Sequence, residues 1–412
     1  MKDLIMESEN IKESLVNLEK QFNDTLILNP VENIPFNDIL SPCTSFLHGL
    51  YNTDTLRNLD SKYNSKLQFS GRDKINEDVN KICELWAELL GAQKLSMRLL
   101  SGLHAHTVLF MALTQIGDKV MILPETAGGH MSGKAILERL GLQLEEIPFN
   151  TETMHLDKEK CLKIIDNFNP KVIFVDRSEG LVYEDLTWLG NCCNCYKIFD
   201  ASQYLTNILC GDYINPFKMG FDLILSTMHK NLPGPQRAFV CVKREDDNWH
   251  KIRSGISTYV SNMHVFSIYS AGLLLKHIND LKKLSQNMLS NALTLDEELL
   301  VNNVPVVRRI YFDSEQPTHH CWINPPTKEL SFNLFLTLER IGILTNYRLL
   351  PYDIGYGLRL GLSGGTMSGL NKNNISLLAR IIGQAYHNGY SDTLKANALQ
   401  LIHCIKQTKE II

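Results

Sequence analysis

Phe221-Asp-Leu-Ile-Leu-Ser-Thr-Met-His-Lys230-Asn-Leu-Pro-Gly-Pro235 is the stretch from which the fold can be read. An apolar run without polar alternation ends in two hydroxyl residues, then His-Lys, then a turn set by Pro and Gly. Such a run marks a strand buried on both faces, which is the habit of parallel sheets. Similar runs stand on either side of it: Lys119-Val-Met-Ile-Leu-Pro124, Lys171-Val-Ile-Phe-Val-Asp176, Lys197-Ile-Phe-Asp200 and Ala238-Phe-Val-Cys-Val242. Helical patterns separate them. Over residues 73–91, Ile75, Val79, Ile82 and Trp86 recur at three- to four-residue spacing until Gly91 stops the helix. Residues 1–25 are also helical in pattern, with Leu15, Leu18 and Phe22 on one side. Strands alternating with helices predict an α/β fold around a mainly parallel sheet. The expected organisation is an N-terminal helical arm (1–30), a large domain (31–275) and a smaller α+β C-terminal domain (276–412).

Composition narrows the function classes. The 412 residues are 44% hydrophobic and 21% charged, which places the chain among globular proteins. A net charge of −4 gives no pull toward nucleic acid or an anionic membrane surface, so neither is expected as a partner. No apolar stretch has the length of a membrane span, and the start of the chain has no secretory pattern. A cytoplasmic location is the expectation. The ten cysteines then read as reduced thiols. Cys192, Cys193 and Cys195 cluster before a strand without a second ligand pair at metal spacing, so packed thiols are expected there and no metal.

Lys230 at a buried strand end can be desolvated, which suits an amine that forms a Schiff base. Asp200 ends another buried strand, where a carboxylate can pair with a protonated ring nitrogen or simply cap a helix. Ser101-Gly102 precedes the helical run Ala105, Val108, Leu109, Leu113 and offers a hydroxyl and backbone N–H groups to a phosphate. Gly128-Gly129-His130 gives a flexible turn followed by a flat ring able to stack on a cofactor. Each element is weak alone. Together, in this order, they specify a cofactor site.

In these motifs the sequence resembles the serine hydroxymethyltransferase family of fold type I pyridoxal phosphate enzymes, over roughly residues 25–385. The resemblance implies a large domain with a seven-stranded, mainly parallel sheet between helices. It implies pyridoxal 5'-phosphate as cofactor, held on Lys230 with Thr227 and His229 beside it. Asp200 would grip the pyridine nitrogen, and Gln203, where the family has histidine, would bond the phenolic oxygen. His130 would stack on the ring. Ser101 and Gly102, followed by Leu103 in place of a serine, would cup the phosphate. Arg359, in Gly357-Leu-Arg-Leu-Gly361, would take the substrate carboxylate, although a strand-face arginine in a salt bridge reads equally well. Glu32, in Leu28-Asn-Pro-Val-Glu-Asn33, would lie near the substrate. Tyr63 would reach the phosphate of a partner subunit in a homodimer with shared sites.

The departures fall on one group of functions. The family's Lys-Tyr-Ala-Glu-Gly-Tyr-Pro-Gly carries a proton-handling glutamate, whereas here Ser61-Lys-Tyr-Asn-Ser-Lys66 has none. A family tyrosine becomes Phe69, and a phenyl ring cannot relay a proton. The glycine-rich stretch that completes the family's phosphate site reads Ser257-Thr-Tyr-Val-Ser261. The expectation is an enzyme acting at Cα of an amino acid without folate, of aldolase or transaldolase type on a β-hydroxy amino acid. The alternatives are an aminotransferase or other α-deprotonating enzyme, and a genuine hydroxymethyltransferase.

Overall fold

In a computed structural model, residues 2–53, 58–312 and 315–407 are described. Seven strands form the central sheet: β1 (Lys94–Ser96), β2 (Lys119–Ile122), β3 (Gln143–Glu146), β4 (Val172–Val175), β5 (Tyr196–Asp200), β6 (Leu223–Thr227) and β7 (Ala238–Val242). Their order is β1-β7-β6-β5-β4-β2-β3. Every pairing from β3 to β6 is parallel, and β7 alone runs against its two neighbours. This is the seven-stranded, mainly parallel sheet that the resemblance implies. The strand read as 221–225 is displaced to Leu223–Thr227. Ser226 and Thr227 pair with Phe239 and Ala238, and the Thr227 N–H also donates to Ser202 Oγ.

The pleat explains why these strands lack polar alternation. Met121, Ile173, Val175, Phe199, Ile224, Phe239 and Cys241 point into one apolar core. Their neighbours Val120, Ile122, Val172, Phe174, Ile198, Leu225 and Val240 point into a second. Successive side chains leave opposite faces, so a sheet covered on both sides must be apolar at every position.

Helices cover both faces. Helix α1 (Lys2–Asn23) precedes the sheet in the chain, and its Leu15, Leu18 and Phe22 are exposed. Helix α2 (Asp73–Leu90) ends at Gly91, whose φ of 69° forms a left-handed cap. It buries Trp86 in the larger core, where Nε1 donates to the Ala271 carbonyl at 3.0 Å. Helix α3 (Gly102–Leu113) lines the smaller core through Ala105, Val108, Leu109 and Leu113. The long α4 (Ile278–Val301) leads to a three-stranded antiparallel sheet of β8 (His320–Ile323), β9 (Asn346–Leu350) and β10 (Gly355–Gly361), with β10 central. Among the described residues no helix is long and apolar enough to cross a membrane.

Among the described residues no cysteine is joined in a disulfide. Cys193 Sγ lies 2.8 Å from Cys195 Sγ and 3.6 Å from Cys192 Sγ. Burial, then the neighbouring sulfurs, push the Cys192 thiol up to about 12 and Cys195 higher still, so both stay protonated and unreactive near neutrality.

Candidate active site

The carboxyl ends of the parallel strands deliver the chemistry to one place, as open α/β sheets do. Asp176 follows β4, Asp200 closes β5, and Lys230 lies just beyond β6. Gly128-Gly129-His130 follows β2, and Ser101 caps α3 beyond β1. A methyl group on Gly102 would stand 3.1 Å from Thr227 Cγ2, so the start of α3 closes on the end of β6. Asn33 ties the N-terminal segment to the same point, donating to the carbonyls of Lys230 at 2.8 Å and Asn231 at 3.2 Å.

Asp200 is buried, and its two oxygens are engaged differently. Oδ1 accepts from the Ser202 N–H at 2.8 Å, and Oδ2 meets His106 Nε2 at 2.9 Å. Burial alone would raise its pKa. The His106 bond and charge, with the charge of Lys230, outweigh burial and hold the carboxyl below its usual range. The charge of Lys230 also reaches Asp176, His106 and His130. Asp200 and Lys230 therefore belong to one electrostatic cluster. His130 caps the helix Met131–Arg139, accepting the Ser132 N–H on Nδ1 at 3.1 Å. Burial first, then Lys230 and His106, push its pKa down to about 4, so its ring is flat and uncharged at neutral pH. His229 is driven down to about 4 by burial and by Lys230.

The turn before His130 requires glycine. Gly128 has φ 85°, and any Cβ there would overlap the Glu179 carbonyl oxygen; one on Gly129 would overlap the Leu123 carbonyl oxygen. Gly128→Ala is expected to destabilise the fold by roughly 3 kcal/mol or more through combined strain and overlap, measured by denaturant unfolding. A loss of under roughly 1 kcal/mol would show that the turn relaxes freely.

Arg359 stands on the central strand β10, opposite Trp322 and Asn346. It is buried, with Nη1 donating to the Ser178 carbonyl at 3.2 Å and lying 3.3 Å from Glu179 Oε1. The same Glu179 oxygen pairs with Arg348, whose outer nitrogen reaches Glu125 at 3.4 Å. The salt-bridge reading of Arg359 is what the structure shows. Burial pushes both guanidiniums down to about 10, which leaves them charged at neutral pH.

Other expected residues fall as follows. Thr227 and Gln203 are buried beside Asp200, and Gln203 Oε1 faces His320 Nε2 at 3.3 Å. Ser101 is exposed, and its hydroxyl accepts its own helix's His104 N–H at 3.2 Å. Glu32 is exposed, although Asn33 next to it touches the cluster. Tyr63 is 89% exposed at the end of the short helix Leu59–Tyr63, apart from the cluster within this chain. Three residues escaped the sequence reading: His106, Asp176 and Glu179. Asp176 had a signal, since like Asp200 it stands at the end of a buried strand. His106 had none, being one polar residue in the apolar run of α3.

Several buried polar atoms have no hydrogen-bond partner among the described residues: Thr227 Oγ1, Gln203 Nε2, His229 Nδ1 and Arg359 Nε. An unpaired buried polar group is costly, so those of Thr227, His229 and Gln203, which flank Lys230 and Asp200 along the chain, suit a polar ligand that satisfies them. Asp200 offers an anion for a ring nitrogen, Lys230 an amine for an aldehyde, and α3 a helix start for a phosphate. The donor set fits pyridoxal phosphate.

Comparison with known proteins agrees. The serine hydroxymethyltransferase profile matches residues 10–382. The chain is 26% identical over 404 residues to serine hydroxymethyltransferase from Picrophilus torridus, covering 94% of this chain and 90% of the relative. It is 25% identical to that of Thermoplasma acidophilum, covering 98% and 96%. Among solved structures, L-threonine transaldolase from Pseudomonas fluorescens superposes with a TM-score of 0.88 at 20% identity, over 99% of this chain and 94% of that one. The chain belongs to the serine hydroxymethyltransferase family and is a fold type I, pyridoxal phosphate-dependent enzyme of the transferase or lyase class.

Proposed function

We propose that this enzyme makes or breaks the Cα–Cβ bond of a β-hydroxy amino acid without folate, as an aldolase or transaldolase. One observation carries the reading. The motifs assigned to the cofactor and Cα, with Lys230, Asp200 and Arg359, are kept, whereas the glutamate and phenol that the resemblance associates with folate-linked transfer are missing from Ser61–Lys66 and from Phe69. The Phe69 ring packs at 5.3 Å from the Tyr51 ring and has no proton of its own to relay. The likeness to a threonine transaldolase supports the same reading.

Pyridoxal phosphate, when bound, supplies an electron sink for charge developing at Cα. In this proposal, ionised Asp200 faces the pyridine nitrogen and favours its protonated form. Uncharged His130 would stack on the ring without adding a competing positive charge. Lys230 carries the proton at Cα, the work of a general acid–base. Arg359 orients the α-carboxylate with its planar fork, after Glu179 yields the guanidinium. Thr227, His229, Gln203, Ser101 and Gly102 hold the rest of the cofactor, with Glu32 near the substrate. A homodimer in which Tyr63 reaches the partner's phosphate fits the exposure of Tyr63 and of Leu15, Leu18 and Phe22 on α1. A cytoplasmic location and the 31–275 and 276–412 domain division belong to the same proposal.

The loaded enzyme is expected to build a β-hydroxy amino acid from glycine and an aldehyde with no folate added, followed by chromatography of the products. Amino-group transfer from an amino acid to a 2-oxo acid would instead favour an aminotransferase, which the missing glutamate and phenol also allow. Strict folate dependence would restore the hydroxymethyltransferase.

A further inference from the structure

His106 lies between two buried acids. Its Nε2 is 2.9 Å from Asp200 Oδ2, and its Nδ1 is 3.9 Å from Asp176 Oδ2. The three side chains are 3–7% exposed. Their ligand atoms all fall within 4.8 Å of one another. Nδ1 of the imidazole and Oδ2 of Asp176 have no hydrogen-bond partner among the described residues, and they face each other. Phe174 closes one side with its ring edge-on at 5.0 Å, and the His130 ring stands edge-on at 6.2 Å. Such a group cannot be an accident of a polar surface, because every member has given up water.

We propose that His106 and Asp176 are positioning residues for pyridoxal phosphate, acting only through Asp200: His106 fixes and neutralises one oxygen of Asp200, and Asp176 keeps the imidazole charged and turned to do so. This rests on the reading of Asp200 as the partner of the pyridine nitrogen. A carboxylate has lone pairs for several donors, so the bonds from Ser202 and His106 leave it able to accept one more. They also set its direction. A lone buried carboxylate would tend to take up a proton and lose its hold on the ring. Burial works against a charged imidazole, yet Asp176 and Asp200 together raise the His106 pKa. Asp176 bears the cost, raised to about 6 chiefly by its own burial. One buried cation between two buried acids leaves net negative charge facing a protonated ring.

A double-mutant cycle on cofactor affinity tests this, with pyridoxal phosphate titrated into apo-enzyme and followed by visible absorption. His106→Leu is expected to weaken binding by about tenfold or more, the worth of a bond to a charged group. His106→Gln, which keeps an N–H within reach of Asp200, should recover much of that loss. Asp176→Asn should weaken binding several-fold in the wild-type background and not at all beside His106→Leu, because its path runs through the imidazole. Should the leucine variant fail to fold, as judged by apo-enzyme melting, the cycle closes with His106→Gln, whose neutral amide has no charge for Asp176 to hold. Equal weakening by Asp176→Asn in both backgrounds, or unchanged affinity in His106→Leu, overturns the inference alone. A wild-type chain that takes up no cofactor overturns this and the reading beneath it.

Discussion

Lys230→Ala is expected to abolish covalent attachment of the cofactor and to lower turnover by about 10⁴-fold, the upper range for loss of a positioned acid–base group. The two losses have different causes. In the proposed role the amine is the atom joined to the cofactor's aldehyde, so no other side chain replaces it by a small shift; the next bases, His130 and His229, are imidazoles whose pKa is held down chiefly by burial, which persists in the variant. Such weak bases extract a proton from Cα poorly at neutral pH. Borohydride reduction followed by mass spectrometry should add the cofactor's mass to the wild-type chain and not to the variant. Lys230→Arg should behave like the alanine variant, because a guanidinium stays protonated and does not form the bond. Cofactor mass on the alanine variant would mean that another amine is the anchor, and the site as drawn would fail.

Arg359→Ala separates a substrate residue from a structural one. A guanidinium that takes the α-carboxylate in two parallel bonds contributes roughly 3–5 kcal/mol, so KM is expected to rise by about 10²–10³-fold. Stability should fall less than for an ordinary broken buried pair, since Glu179 keeps Arg348. Arg359→Lys should remain impaired, because one ammonium cannot reproduce the planar fork. If Arg359 were only the partner of Glu179, the order would reverse: the melting temperature would drop and KM would hold. Steady-state kinetics beside thermal melts decide between the two.

Much of the sheet was legible because five of its strands are apolar on both faces. The two that escaped are edges. Gln143-Leu-Glu-Glu146 is half-exposed and polar, as an edge strand can be, and Lys94-Leu-Ser96 is too short to show any period. Lys230 and Asp200 could be read because a strand end is a position in one dimension as well as in three. His106 could not. Its meaning comes from two acids at the ends of separate strands, β4 and β5, which only the sheet order makes neighbours. Glu179 was hidden for the same reason, since its partners Arg348 and Arg359 follow it by most of the chain's second half. Tyr63 and Glu32 were carried by resemblance alone, and within one chain both face outward.

The carboxylate of Glu179 has one further consequence. Its backbone is pinned, because its N–H donates to the Gly128 carbonyl at 3.0 Å and its own carbonyl packs on the Gly128 Cα. Only the side chain is left to swing. In the proposed role of Arg359, the protein therefore ships with a dummy substrate already seated, and an entering amino acid must evict it like for like. Amines that lack an acid group have nothing to trade for that seat, so the doorway screens for zwitterions before any reactive group is engaged.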